Sequence, residues 1–380
     1  MDQGSQSGRM ALLLFLSLLG LFHSCWSGVL PAQVPQVPSL FTSHPCNNSL
    51  GLTMADITLQ DINNERKEGY IFRLNRVVDV QENSQGGPDS VFYLTFDVLE
   101  TSCHVLSRKN WKNCEARPLH ESVYGRCKAL FFESLTRRIL YVSAYNCTTR
   151  PVSQRDIHMM CPDCPSPVPA NYSDPWVFQA VSESLAKYNK EAAEGKKLCF
   201  YQITRASTQW VVGPAYFVEY LVTEGPCKEG QSGLQQHLKP LVDAKPVGLC
   251  KGSLTDSRAR LEKSVSVSCE FFETQPTVAP ESQPTEPHDG QQPVCPTRAP
   301  QQEGPKGTVQ FLNDPDDEGH QEKLFPVQMD SASGKPIYLP PILQSFVLAD
   351  LPIVLPFPEQ SRSSECPGPA ENPNHLVLPP

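Results

Sequence analysis

The chain has 380 residues, a formal net charge of −9 at pH 7 and a pI near 5.5. No basic stripe interrupts this acidity, which argues against a nucleic-acid partner. The negative charge suits a soluble extracellular protein and is read as a solubility feature.

The N-terminus predicts a secretory signal peptide over residues 1–27. Ala11–Phe22 (ALLLFLSLLGLF) is an apolar run, and Ser24, Ser27 and Gly28 supply small residues for cleavage. This run is shorter than the ~18 residues that suggest a membrane span, and no later run approaches that length. We therefore expect a secreted, extracellular chain without a membrane anchor.

Export places the cysteines in an oxidising compartment. Removal of the signal takes Cys25 away, and most of the remaining cysteines are expected to pair. Asn47, Asn146 and Asn171 lie in Asn-x-Ser/Thr sequons, which only an exported chain can use. The sequence thus predicts a disulfide-bonded glycoprotein.

The folded part contains two copies of one domain. Three cysteines recur at offsets of 122–124 residues, the pairs being Cys103 and Cys227, Cys127 and Cys250, and Cys147 and Cys269. Such a constant offset indicates a tandem repeat. We predict domain 1 at 28–150, a linker at 151–170 and domain 2 at 171–275.

Each copy is predicted to be one helix followed by antiparallel strands. In the second copy Asp174 caps a helix that has Pro175 at its first position. One apolar face follows at helical spacing, formed by Val177, Val181, Leu185 and Tyr188. In the first copy the helix is expected around Asp56–Lys67. A helix lying across an antiparallel sheet is an α+β architecture.

Residues 276–380 are rich in proline, glutamine, glutamate and threonine and cannot bury a core of their own. We predict a mostly disordered C-terminal region. Two apolar patches, residues 337–358 and the final 375–380, are candidates for docking on the folded part. Cys366 also needs a partner, and the tail offers only Cys295.

A loop between two predicted strands of domain 2 reads STQWVVGPAY and resembles the QxVxG loop of cystatins. A plain hairpin that turns at the glycine would explain part of this pattern. An exposed tryptophan beside two valines favours an interaction tip. The candidate inhibitory residues are Gln209, Trp210, Val211, Val212, Gly213 and Pro214. The corresponding stretch of domain 1, NRVVDVQENSQGGPDS, lacks the motif.

The whole arrangement resembles the fetuins, a family within the cystatin superfamily. The segments that carry the resemblance include DVLETSCHVL, CPDCP, ESLAKYN, QWVVGPAYFVEYL and PVGLCKGSL. The resemblance implies an α+β fold of two tandem cystatin-like domains, each with one helix across a curved antiparallel sheet. A short disulfide-clamped linker joins the domains, and the Pro-rich tail follows them.

The linker segment Cys161, Pro162, Asp163, Cys164 and Pro165 allows three interpretations. Disulfide exchange needs a helix start in a βαβ context, and a zinc half-site needs further cysteines or histidines at ligand spacing; neither is present. A rigid loop that presents the aspartate outward remains. A catalytic zinc has three protein ligands and a displaceable water, which an incoming carboxylate can replace.

The resemblance implies an inhibitor of astacin-family zinc metalloproteases, a group that includes the egg protease ovastacin. In this reading Asp163 binds the zinc of the target protease, and residues 209–214 flank the cleft. A second flanking hairpin is expected between Cys250 and Cys269. The implied role is restraint of premature zona pellucida hardening, and hence support of fertilisation. We expect a monomeric plasma protein that is not an enzyme and has no cofactor.

Two alternatives remain open. The QxVxG loop would suit inhibition of papain-like cysteine proteases, but cystatins also use a free N-terminal segment and often a Pro-Trp hairpin. The segment before domain 2 is instead tied into the linker, and this domain has no Pro-Trp. A mineral or ligand carrier like fetuin-A needs an acidic array, for which the first domain offers only Asp97 and Glu100 near one strand.

The fetuin pairing pattern implies most of the disulfides, namely Cys46–Cys366, Cys103–Cys114, Cys127–Cys147, Cys161–Cys164 and Cys250–Cys269. This sequence departs from the pattern, because the usual partner just downstream of Cys227 is missing while Cys199 and Cys295 are additional. Cys199 and Cys227 flank the QxVxG hairpin near cross-strand register. We predict that they pair and that Cys295 is the odd thiol.

Overall fold

The computed structural model describes residues 40–84, 88–163, 167–192, 197–210, 213–225, 227, 245–257, 262–272, 306–316, 353–358 and 363–380. The predicted signal peptide at 1–27, with Cys25, lies outside these residues, as does Cys295. Within the described ranges, no helix has the length and apolarity that crossing a bilayer requires.

The first domain packs one helix on an antiparallel sheet. Its elements are α1 (Ser49–Glu65), β1 (Thr42–Ser43), β2 (Tyr70–Ser84), β3 (Asp89–His104), β4 (Val123–Ser134) and β5 (Ile139–Pro151). The helix begins earlier than the predicted Asp56, because the Asn48 side chain accepts a hydrogen bond from the N–H of Gly51 at 2.7 Å and caps it. Leu59 and Ile62 are buried in a core shared with the sheet.

The second domain repeats this plan. Its elements are α3 (Pro175–Glu191), β6 (Val168–Pro169), β7 (Leu198–Trp210), β8 (Pro214–Glu224), β9 (Gly248–Ser257) and β10 (Glu262–Phe271), in the sheet order β10-β9-β8-β7-β6. Asp174 caps α3 by accepting from the N–H of Trp176 at 2.9 Å. The predicted apolar face is confirmed, because Val177, Val181 and Leu185 are buried against the sheet.

Gly252 explains how closely this helix approaches its sheet. A Cβ at this position of β9 would lie 2.4 Å from the Ser184 hydroxyl oxygen of α3. The Ser184 hydroxyl in turn lies 3.0 Å from that of Tyr220 on β8. The glycine therefore gives the helix the space to pack directly on the strands.

Disulfides tie both domains and the tail. The bonds among the described residues are Cys46–Cys366, Cys103–Cys114, Cys127–Cys147, Cys199–Cys227 and Cys250–Cys269. The pair that departs from the fetuin pattern closes the base of the β7–β8 hairpin, where Cys199 and Cys227 have a Cα–Cα distance of 5.5 Å. This distance lies in the usual range for a disulfide.

Three segments of the C-terminal region contact the first domain. Strand β11 (Gly307–Phe311), which the sequence did not predict, pairs in parallel with β5 and extends the sheet to the order β1-β2-β3-β4-β5-β11. Leu355 and Phe357 pack beside Tyr93, and Val377 is fully buried. Docking of the two predicted apolar patches is thus confirmed for their described residues.

Candidate functional site

The predicted linker contains a short helix that the sequence analysis missed. Helix α2 (Gln154–Met160) is capped by Ser153, whose hydroxyl accepts from the N–H of Asp156 at 3.0 Å. The helix ends at Cys161, whose N–H donates to the carbonyl of Ile157 at 2.8 Å. The signal for this helix was a serine followed three residues later by an aspartate, too short a pattern to show a helical period.

The candidate inhibitory loop begins where α2 ends. Cys161 is disulfide-bonded. Pro162 and Asp163 form a turn, and both residues are exposed. Cys164 and Pro165, predicted to complete the clamp, lie outside the described residues. The Asp163 residue is therefore exposed to solvent directly after a helix and a disulfide-bonded cysteine.

The QxVxG motif lies at the end of the β7–β8 hairpin, as predicted. The last pair of the ladder joins Trp210 to Pro214, with Gln209 one residue inside it. Trp210 is 69% exposed, whereas Gly213 is buried. Residues 211–212, the two valines of the motif, lie outside the described residues.

A second hairpin, formed by β9 and β10, occupies the region where the sequence analysis expected one. Cys250 pairs with Cys269 in the ladder, which closes with Ser257 opposite Glu262. The tip at 258–261 lies outside the described residues.

The register of the second sheet brings the linker and both hairpins to one end. Val168, at the end of the linker, pairs with Thr208 of β7. Thr208 pairs with Tyr216 of β8, and Tyr216 with Leu254 of β9. This row crosses the sheet just before both hairpin ladders close. Strand β6 follows the candidate loop. It therefore lies at the same end of domain 2 as both hairpins.

Large apolar side chains are exposed in the segments around the loop. Met159 and Met160 precede Cys161 and are 64% and 47% exposed. Val168, at the other end of the linker, is 56% exposed. Val168 and Trp210 are therefore exposed at this end of domain 2, and the two methionines are exposed just before the loop. Exposed apolar side chains of this kind are typical of a protein interaction surface.

A buried cluster of charges joins the two domains that flank the linker. The Arg117 guanidinium of domain 1 donates to both carboxylate oxygens of Glu219 on β8, at 2.9 and 2.8 Å. Arg117 Nε also donates to Glu100 at 3.1 Å, and Glu100 accepts from Arg205 of domain 2. The Tyr70 hydroxyl donates to Glu219 and lies 2.7 Å from the Thr204 hydroxyl. None of these contacts was predicted from the sequence.

Burial and charge act in opposite directions on Glu219. Removal from water alone would raise the pKa of its carboxyl group, but the hydrogen bonds and charge of Arg117 outweigh burial and lower the pKa to about 2. Burial also opposes the charge on Arg117, and its contacts with Glu219 and Glu100 reverse this and raise its pKa. Both groups therefore stay charged, which makes the pair a fixed connection between the domains.

An apolar patch lies beside this charge cluster. Tyr70 of domain 1 packs with Leu221 and Leu249 of domain 2. The His104 ring stacks on that of Phe272, with the ring centroids 6.0 Å apart. Burial, assisted by the charge of Arg66, lowers the pKa of His104 to about 4, so the ring is neutral at pH 7.

Known proteins are similar to this chain over nearly its whole length. The Cystatin domain family matches residues 42–135 and 164–258. Human fetuin-B is 46% identical over 98% of this chain and 100% of its own length, and bovine fetuin-B is 45% identical over 97% of this chain. The chain belongs to the fetuin-B family.

Solved structures of fetuin-B have the same fold. Mouse fetuin-B in complex with crayfish astacin is 43% identical, covers 91% of this chain and gives a TM-score of 0.69; 99% of that chain is covered. Mouse fetuin-B in an inhibitory complex with human meprin beta is 41% identical, with a TM-score of 0.67 and coverage of 89% and 100%. Two tandem cystatin domains are thus established for this chain.

Proposed function

We propose that this protein is a secreted inhibitor of astacin-type zinc metalloproteases rather than an enzyme, and that Asp163 blocks the catalytic zinc of the target. The observation that carries the proposal is the exposed Asp163, which follows a helix and a disulfide-bonded cysteine. The linker that contains Asp163 leads to the end of domain 2 where the two hairpins lie. The complexes of mouse fetuin-B with astacin and with meprin beta support the same target class.

The chemistry follows from the coordination of a catalytic zinc. Such an ion keeps a position for water, and the bound water is the nucleophile for peptide hydrolysis. An aspartate oxygen that takes this position removes the nucleophile and contributes no scissile bond. A rigid loop suits this role, because an ordered loop loses little conformational entropy when it binds.

The hairpins supply the surrounding contacts in this proposal. Trp210 is exposed at the end of the first hairpin. Exposed aromatic side chains at such tips are typical binding anchors, since they bury a large area with few rotatable bonds. The residues proposed for contact with the protease are Pro162, Asp163, Gln209, Trp210, Val211, Val212, Gly213 and Pro214, held by the clamp formed by Cys161, Cys164 and Pro165.

At a finer level, we propose an ovastacin-like target, restraint of premature zona pellucida hardening and a role in fertilisation. These steps rest on the family resemblance. Secretion through the signal at 1–27 and glycosylation at three asparagines belong to the same proposal. Asn47 and Asn171 are exposed, and Asn146 is half-buried on β5.

Inhibition of papain-like proteases is less well supported by the geometry. Cystatins of that type use a free N-terminal segment beside the QxVxG hairpin. Here Val168 and Pro169 form β6 and pair with Thr208 and Ser207 of that same hairpin. The segment is therefore part of the sheet and is not free to enter a cleft.

Replacement of Asp163 tests the proposal. Asp163→Asn keeps the size of the side chain and removes its charge, and Glu191→Gln, at the exposed end of α3, is the matched control. We expect Asp163→Asn to raise the inhibition constant for crayfish astacin at least about 100-fold, since loss of one member of a buried charged contact costs roughly 3 kcal/mol. Glu191→Gln should leave it unchanged, and neither variant should inhibit papain. Full inhibition by Asp163→Asn, with an unchanged unfolding midpoint, contradicts the proposed mechanism.

A further inference from the structure

We propose that two segments of the C-terminal region act as positioning elements for Asp163 by holding helix α2 in place. The segments are the capping segment, residues 312–316, and the terminal segment, residues 375–380. The inference rests on the proposed function, because it concerns the helix that precedes the inhibitory loop. It gives the C-terminal region a part in inhibition that acts through α2.

The capping segment contacts the start of α2. The Asp316 carboxylate accepts hydrogen bonds from the Ser153 hydroxyl at 2.9 and 3.1 Å, and from the N–H of Arg155 at 3.0 Å. The Ser153 hydroxyl therefore donates to the tail while it accepts from the helix N–H of Asp156. A carboxylate at this end of a helix also complements the helix dipole.

Strand β11 fixes the position of the capping segment. Its pairing with β5 runs from Gly307 to Phe311, and Leu312 then donates from its N–H to the carbonyl of Thr149 at 2.8 Å. Asp316 follows within a few residues of this ladder. The cap is thus attached to the sheet that precedes the linker.

The terminal segment shares an apolar cluster with α2. Ile157, near the middle of the helix, is buried in one cluster with Leu99 and Tyr124 of the first domain and with Val152 at the start of the linker. Val377 completes this cluster and is fully buried. Val377 thus belongs to the apolar cluster in which Ile157 is buried.

Arginines of the first domain hold the terminal segment down. Arg126 donates to the main-chain oxygens of Pro379 and Pro380 at 3.1 and 2.6 Å, and Arg76 donates to Pro379 at 3.3 Å. Both guanidinium groups are oriented by the fully buried carboxylate of Asp97, at 2.6 and 2.8 Å. The terminal segment is therefore held by hydrogen bonds from two oriented arginines as well as by apolar contact.

A helix as short as α2 needs such support. Isolated helices of fewer than about 12 residues are marginal in water, and helices in proteins gain most of their stability from packing. Asp163 lies just beyond the helix end. If α2 loosens, the carboxylate keeps its chemistry but loses its fixed position, and binding must then order it again. The expected defect is weaker inhibition by an otherwise folded protein.

The test compares three tail variants in the full chain, with crayfish astacin as the probe. Asp316→Asn removes the charge and one acceptor oxygen of the cap, and Val377→Ala leaves a cavity in the cluster that buries Ile157. Leu355→Ala is the matched control, since Leu355 packs beside Tyr93, outside the α2 cluster. We expect the first two to raise the inhibition constant about 3- to 10-fold each, as ordering costs of this kind imply. They should also speed hydrogen exchange at the Ile157 and Cys161 amides, and Val377→Ile should restore both readouts.

The control should lower the unfolding midpoint without affecting the inhibition constant or exchange in α2. Equal weakening by Leu355→Ala would overturn the inference, as would unchanged exchange in α2. Asp163→Asn, measured alongside, separates the two proposals. If Asp163→Asn weakens inhibition and the tail variants do not, only the positioning role fails. If Asp163→Asn has no effect, the proposed function fails, and hydrogen exchange alone decides whether the tail holds α2.

Discussion

Replacement of Arg117 by alanine should be among the most damaging single changes at the domain interface. The Arg117 side chain is 1% exposed, and its main partners Glu219 and Glu100 are 12% and 4% exposed. Loss of one member of a buried pair leaves an uncompensated charge, at a cost of about 3–5 kcal/mol. Arg205 still reaches Glu100, and Lys251 approaches Glu219 at 4.0 Å. We therefore expect the lower end of that range, about 3 kcal/mol.

An exposed ion pair of similar length provides the control. Arg137 donates to Asp89 at 2.9 Å, but these side chains are 37% and 21% exposed. Pairs of this kind contribute about 0–1 kcal/mol, so Arg137→Ala should change stability little. Urea titrations at pH 7, followed by tryptophan fluorescence, would measure both variants against the native chain. Equal free energies of unfolding for Arg117→Ala and Arg137→Ala would refute the assigned role of the buried cluster.

Two further predictions concern pH and the unusual disulfide. The folded pKa of His104 is about 4, below the ordinary 6.5, so the unfolded chain binds more protons between these values. The contribution of His104 to the free energy of unfolding should be complete above pH 6.5 and should fall by roughly 3 kcal/mol as the pH drops to 4. A pH series of urea titrations measures this loss, and His104→Gln should make the free energy of unfolding less dependent on pH in this range. Replacement of both Cys199 and Cys227 by alanine should cost about 3–4 kcal/mol. An unchanged calorimetric midpoint would contradict this.

The elements of domain 2 were predictable because local signals agree there. Asp174 and Pro175 mark the start of α3, and the apolar positions that follow share one face. The QxVxG hairpin was predictable for a similar reason, since its glycine and its flanking apolar runs are adjacent in sequence. The pairing of Cys199 with Cys227 followed from the same hairpin, because their positions at its base bring them into reach.

The contacts that hold the linker and its flanking domains in place could not be predicted from the sequence, because they join residues far apart in the chain. Arg117 and Glu219 meet only after both sheets have formed and docked. Strand β11 is only five residues long, too short to be recognised from its composition. It is extended because it pairs with the edge of β5. Helix α2 is similar, since its buried residue Ile157 shares a cluster with Leu99 and Val377, which lie far from it in the chain.

Two acidic residues of β3 take part in the contacts on both sides of the linker. Asp97 orients Arg76 and Arg126, which hold the terminal segment, whereas Glu100 pairs with Arg117 and Arg205 at the domain interface.

In the sequence the same two carboxylates were the weak signal for a mineral-binding array. Asp97 and Glu100 are both buried, and each already has two arginine partners. A calcium ion would have to displace these guanidinium groups and enter the protein interior, where charge is costly without full compensation. The acids of this strand therefore stabilise the two sides of the linker, and mineral binding would have to use other residues.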